Sequence, residues 1–388
     1  VSAPGRAGAG PVEAIGFATA ALTVATVSLF ALPAFADTLS VELALSSAEV
    51  GLLTSALALS YAGIQVPAGV LGGVIGINRA FALGLAIFAV GFAGSAMVDS
   101  FPALLVLRAL TGLGAGMLLP LASALAAAVM DEGDARGQGV LGSGWGLGYV
   151  FALLALPLAF DDWRPAFLTL GALALAGAGY ALVRLPPARR PDAATALREA
   201  VAGLATLAPW LLGACLFGLT VANVGVGAWI TVFVQEEHGV GESGAAVLAS
   251  LIGFGLLPAS VAGALVARRI GPRPVVLASC IAMVLSVVLI AVPLGLPALA
   301  VGLVLLGFCS GFPFGVILAL GGATARGEGR RAQGAMAGAI NGIAFLAGVV
   351  TPPLVGFVRD ESSFAVAFAF LVVGPLLALA AALAALRR

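Results

Sequence analysis

The chain has 388 residues, 61% of them hydrophobic and 9% charged, with a formal net charge of zero. Soluble domains carry about 25% charged residues and disordered chains are more polar still, so both classes are excluded; the lack of a basic excess argues against nucleic acid. What remains is a polytopic membrane protein.

All 18 basic residues are arginine. Without lysine there is neither a phosphate-binding P-loop nor a Schiff-base enzyme. His238 is the only histidine, which excludes a multi-histidine metal site. Cys215, Cys280 and Cys309 stand in apolar runs far apart in sequence and read as small buried hydrophobes. No cofactor and no metal is expected.

A membrane-spanning helix needs about 20 mainly apolar residues. The first such run is 12–36. Ala34-Phe35-Ala36 at its end resembles a signal cleavage site, but the run is long for a signal segment and reads as a retained span. The second run, 48–73, carries Tyr61 and Gln65 four residues apart on one helix face, and a Gly-rich loop from Gly69 through Gly76 to Arg79 follows. The third is 80–98. The fourth, 101–129, holds Arg108, the only charged side chain well inside a span, and the pair Gly112 and Gly116, whose spacing allows close helix approach. The fifth, 137–160, opens on a formal GxGxxG without a preceding strand, an accidental match, and then sets Trp145 and Tyr149 on one face. The sixth is 165–185.

Residues 184–200, with Pro186, Pro187, Pro191 and four arginines, form the only long polar break. Beyond it lie 205–235, with Asn223 and Trp229, and 243–267, followed by Arg268, Arg269 and Gly271. The last four runs are 273–292, 296–323, 333–358 with Asn341, and 363–386. Barrel strands would alternate polar and apolar residues, and that pattern is missing, so a helical bundle is expected.

With the N-terminus in the cytoplasm, 15 of the 18 arginines fall in cytoplasmic segments, while the outer loops hold Arg164 and Arg359. This bias predicts both termini inside the cell membrane. A repeat runs through the chain at an offset of 195: Gly112 to Gly116 aligns with Gly307 to Gly311, Gln138-Gly139 with Gln333-Gly334, Pro157 with Pro352, and Ile75-Gly76 with Ile270-Gly271. The offset covers six spans, so both copies enter the membrane in the same direction and place a solute site between them. The expected division is 1–185, a linker 186–202, and 203–388.

At these positions the chain resembles the major facilitator superfamily, over essentially its whole length. The loop Gly69 to Arg79 is similar to that family's cytoplasmic signature in its glycines and final arginine, but Gly73 and Val74 stand where the family has Asp and a basic residue. Arg268-Arg269 occupy those places in the second copy, which puts the family's charged cytoplasmic lock in doubt. Leu107-Arg108 with Gly112 and Gly116 resembles the fourth-span signature, and Pro33 to Asp37 the end of the first span. The Gly-Pro pair of drug/proton antiporters is absent from the fifth span, and a fainter likeness to cyanate- and nitrate-type porters lies around Trp229 and Asn341.

A buried arginine in lipid needs a partner. Three readings of Arg108 stay open: a structural pair with Asp37, reception of an anionic substrate with partner exchange, and snorkelling to the surface. Tyr61, Gln65, Trp145, Tyr149, Asn223, Trp229 and Asn341 complete the expected cavity lining, and Gly69, Gly76, Arg79, Arg268, Arg269, Gly271 and Asp37 the expected gating set. Transport of a small organic or inorganic anion is the reading that follows from Arg108, with efflux of a neutral solute or drug as the alternative. Expected partners are the solute, the lipid bilayer and either a coupling proton or a counter-transported anion, in a monomer. An integral-membrane enzyme or a sensor without transport is the rival class. The acidic Asp131-Glu132-Asp134 reads as a solvated helix connection rather than a catalytic cluster.

Overall fold

The computed structural model describes residues 9–130, 135–185, 193–324 and 329–387. Among them, twelve helices are long and apolar enough to cross a membrane. The first six are Pro11–Leu32, Glu49–Ile75, Ile77–Ser95, Phe101–Val129, Arg136–Ala159 and Trp163–Arg184. The second six are Ala208–His238, Glu242–Ile270, Pro272–Ala291, Leu296–Ala323, Gln333–Glu361 and Phe364–Ala385. The expected runs are all present, with ends moved by a few residues. The described part of the polar break is not plain linker: it forms a helix, Ala193–Leu204, which packs on the second and eleventh spans. The acidic residues 131–134 and the prolines at 186, 187 and 191 lie outside the described residues.

Proline sets the interruptions that hydrophobicity alone does not show. In the fifth span the turn Phe151–Ala155 is a π-helix just ahead of Pro157. The extra residue makes room for a ring that would otherwise meet the carbonyl one turn earlier. The tenth span breaks between Gly311 and Phe314, where Pro313 has no N–H to continue the ladder.

The 195-residue repeat is visible as repeated contacts. Gly112 and Gly116 lie so close to the Leu57 and Tyr61 carbonyls of the second span that a Cβ would collide with them. In the second half Gly307 and Gly311 take the same places against the Ile252 and Leu256 carbonyls of the eighth span. With no hydrophobic force between helices in lipid, such close backbone approach supplies the packing energy. The turns repeat as well: Gly76 and Gly271 adopt φ of +94° and +87°. A Cβ on Gly271 would meet nothing within 4 Å, so Gly271→Ala is expected to cost only backbone strain, about 1–3 kcal/mol for a positive φ with extended ψ. Thermal unfolding of the detergent-solubilised protein measures this.

Apart from Arg108, the charged side chains described in the spans lie near their ends. Arg164 holds Glu42 at 2.8 Å and Asp99 at 2.6 Å, and donates to the Ala96 carbonyl, joining two loops of the first half. Arg359, the residue 195 positions later, holds Glu236 at 2.7 Å. On the linker face Arg184 pairs with Glu13 at 2.8 Å. Hydroxyls inside the spans mostly fold back on their own helices, as Thr19 does to Ile15 and Thr26 to Leu22. Cys215, Cys280 and Cys309 are free and buried.

Candidate functional site

A cavity of about 950 Å³ lies between the two halves. Its mouth is formed by the start of the second span, Val50 to Leu52, and by the end of the eleventh, where Phe357 and Asp360 are exposed. It therefore opens on the face away from the linker helix. Its walls carry Phe30, Trp145, Trp229, Phe314 and Phe345, and among the described residues Asp360 at the rim is the one charged residue lining it.

Five of the expected site residues reach this cavity: Trp145, Tyr149, Asn223, Trp229 and Asn341. Tyr149, from the first half, donates to Asn223 Oδ1 at 3.2 Å, and Asn223 Nδ2 donates to Ser310 Oγ at 3.0 Å. This chain bridges the halves. Trp229 Nε1 donates to the Pro352 carbonyl at 2.9 Å, which turns the indole along the wall. Tyr149→Phe is expected to cost about 1 kcal/mol, because Asn223 Oδ1 then loses its buried donor. Asn223→Leu in the same background should add less than it does alone, since both variants remove one bond; thermal unfolding of the two singles and the double measures this.

Tyr61 and Gln65 are fully buried immediately behind the wall, not on it. Arg108 is not brought to the cavity. It is fully buried in the fourth span, donates from Nη2 to the Ser28 carbonyl at 2.8 Å and lies 6.0 Å from the Phe92 ring centre. It faces the first and third spans, so it does not snorkel; the side chain of Asp37, its expected partner, lies outside the described residues.

On the linker face the halves close tightly. Gly69 abuts the backbone of Gly334 and Ala335, and Gly139 abuts the Ser260 carbonyl and Ala264. Gln333 Nε2 donates to Ser123 Oγ at 3.1 Å and to the Leu318 carbonyl at 3.0 Å. Ser123 Oγ donates to Gln138 Oε1 at 3.0 Å, and Gln138 Nε2 returns to the Ser123 carbonyl at 3.1 Å. All three side chains are buried. Leu204 of the linker helix packs over this seal with Val70, Ala335 and Met336.

Among the described contacts, the seal is made by neutral groups. Arg79, Arg268 and Arg269, expected there, are exposed and form no ion pair among the described residues. At a helix end water is within reach, and a guanidinium stays in it. Gly76 and Gly271 act as turns. Ser123, Gln138 and Gln333 were absent from the expected set, although the aligned Gln-Gly pairs were visible as part of the repeat.

The sequence profile described as Major Facilitator Superfamily matches residues 15–352. The chain belongs to that superfamily. It is a multi-pass membrane protein, and the relatives it matches are named as transporters. The fold of this superfamily member is shared with human MFSD10, titled an organic anion transporter (TM-score 0.77, 16% identity, 96% of this chain and 99% of that one). It is shared also with FucP in its outward conformation (TM-score 0.76, 17% identity, 96% and 98%). Among relatives in sequence, the uncharacterized MFS-type transporter EfpA of Mycobacterium tuberculosis is 31% identical over 169 residues, 42% of this chain and 31% of EfpA. The putative niacin/nicotinamide transporter NiaP of Bacillus subtilis is 32% identical over 166 residues, 42% of this chain and 41% of NiaP. The probable sulfoacetate transporter SauU of Cupriavidus necator is 32% identical over 143 residues, 34% and 32%. These alignments span between about a third and two fifths of the relatives' lengths.

Proposed function

We propose that this protein is a secondary carrier for a small organic solute with an apolar or aromatic body, working by alternating access of the central cavity. The observation that carries this reading is the cavity itself: closed by small residues and amides at the linker face, open at the other, and walled by aromatic rings without a lining cation. Relatives named for niacin/nicotinamide and for sulfoacetate support the small-organic class. The arginine distribution supports a cell-membrane protein with both termini and the linker in the cytoplasm, which makes the present state outward-open. The halves would be 1–185 and 203–388, rocking as units about the segment 186–202 in a monomer.

The reading of a small organic or inorganic anion rests on Arg108, and that residue is turned to Ser28 and Phe92 instead of to the cavity. Arg108 is better read as a brace between the first, third and fourth spans. With Asp360 at the rim as the sole lining carboxylate among the described residues, the supported modes are facilitated diffusion and solute exchange, ahead of a proton relay.

The test is flux in proteoliposomes: labelled nicotinamide, nicotinate and sulfoacetate, with and without a pH gradient, for wild type and Arg108→Ala. Saturable movement of an aromatic solute, indifferent to the gradient and with KM changed less than about twofold in the variant, is expected. Loss of uptake in folded Arg108→Ala would return the anion-receptor role to that residue. No saturable flux for any solute would remove the carrier reading.

A further inference from the structure

At the closed end of the cavity, five buried polar atoms make no hydrogen bond of good geometry among the described residues. Tyr61 Oη, Gln65 Nε2 and Oε1, Trp145 Nε1 and Asn341 Nδ2 are sealed from solvent. They gather where the second, fifth and eleventh spans meet. The Tyr61 ring stacks on Phe345 with centres 4.1 Å apart, and Trp145 lies 6.4 Å from Tyr61 and 5.3 Å from Phe345. The Gln65 and Asn341 amides reach the Tyr61 hydroxyl only in weak hydrogen bonds, so pairing within the cluster is loose. Trp145, Asn341 and Phe345 line the cavity, with Tyr61 and Gln65 directly behind them.

Buried polar groups are ordinarily well paired, and these five atoms are sealed from solvent. Packing alone would be served as well by leucine and phenylalanine. The five atoms are also unbalanced. The indole N–H, two amide NH₂ groups and the phenol O–H all donate, while Gln65 Oε1 is the only pure acceptor. None of these groups carries a formal charge.

We propose that this cluster is the recognition subsite of the cavity for a hydrogen-bond acceptor. The group received is a carbonyl or carboxylate oxygen, borne on a flat apolar body that lies against Trp145, Phe345 and Phe314. This deepens the carrier reading and rests on it. Amides and carboxylates share the acceptor oxygen, and the neutral donors serve either. An ammonium group brings only donors and would find Gln65 Oε1 as the one pure acceptor among several donors, so it is disfavoured. A hydrocarbon of the same shape fills the aromatic walls but leaves the donors unmet.

The experiment is equilibrium dialysis of the purified full chain with naphthamide, naphthoate, naphthylmethylamine and methylnaphthalene. The two acceptor-bearing probes are expected to bind at least about tenfold more tightly than the other two. Gln65→Leu and Asn341→Leu should erase that preference while leaving methylnaphthalene binding unchanged; a purely structural role would weaken all four together. If the leucine variants fail to fold, Tyr61→Phe, which keeps the stack on Phe345, should still lower the preference about threefold. Equal binding of the four probes, a preference that survives in the folded variants, or no binding at all overturns the proposal. Flux of the same probes into proteoliposomes separates the two readings. Acceptor-selective binding without flux keeps the subsite and ends the carrier reading, and flux without selectivity does the reverse.

Discussion

Gly69→Leu is expected to drive the carrier out of the state seen here. The Gly69 Cα lies against the Gly334–Ala335 peptide, and a Cβ would sit 2.5 Å from its nitrogen and carbon. That neighbour is backbone and has no rotamer to escape into, so the eleventh span must move away. Overpacking of this kind costs about 1–3 kcal/mol, which corresponds to roughly a tenfold to hundredfold shift in the balance of states. The cost falls on the state closed at the linker face and not on one in which the second and eleventh spans have parted. Ser55→Cys reads the outcome, because Ser55 lines the open cavity and the native cysteines are buried. Labelling by a membrane-impermeant maleimide should slow in Gly69→Leu, by at most that factor, and solute flux should fall. Gly139→Leu, which meets the Ser260 carbonyl at 2.7 Å on the repeat-related side, should act in the same direction. Unchanged labelling in both variants would mean that these contacts do not form the gate.

Gln333→Leu is expected to weaken the same closure by a different route. Its amide nitrogen serves both Ser123 Oγ and the Leu318 carbonyl. Ser123 in turn is held by Gln138. Removing a donor from a buried pair costs about 1–3 kcal/mol, so Ser55→Cys labelling should fall about tenfold in the Gln333→Leu background. Gln138→Leu alone should do less, since its bonds stay within the first half. The double variant should fall short of the sum, because both amides act through Ser123. Full additivity would dissolve the network into separate contacts. Three neutral side chains here hold a junction where charged residues were looked for, and such bonds break without stranding a charge in lipid.

The span count and the repeat were legible because each rests on a one-dimensional property. A run such as 101–129 is apolar whatever it packs against, and glycines 195 residues apart can be matched without knowing what they touch. Tyr149, Asn223, Trp229 and Asn341 were legible as a set because polar and aromatic side chains inside apolar spans have few roles. Arg108 misled for a related reason: a lone charge within a span stands out in sequence, yet nothing in the sequence says whether its helix turns it to the cavity or to the Ser28 carbonyl. The latch was hidden because Gln138 and Gln333 lie at span ends, where glutamine is unremarkable. Their meeting with Ser123 depends on how two helical bundles are docked.

Composition and arginine placement, by themselves, determined a helical membrane protein of twelve spans in two parallel copies, because the bilayer demands about 20 apolar residues per crossing and biases cations to one side. Only the tertiary structure decided which face is open, which polar atoms at the cavity's end lack well-aligned partners, and that the closed face is held by amides and glycines. Those properties are set by distances of 3 Å between residues as many as 210 positions apart in the chain, such as Ser123 and Gln333, and no local pattern encodes such a distance.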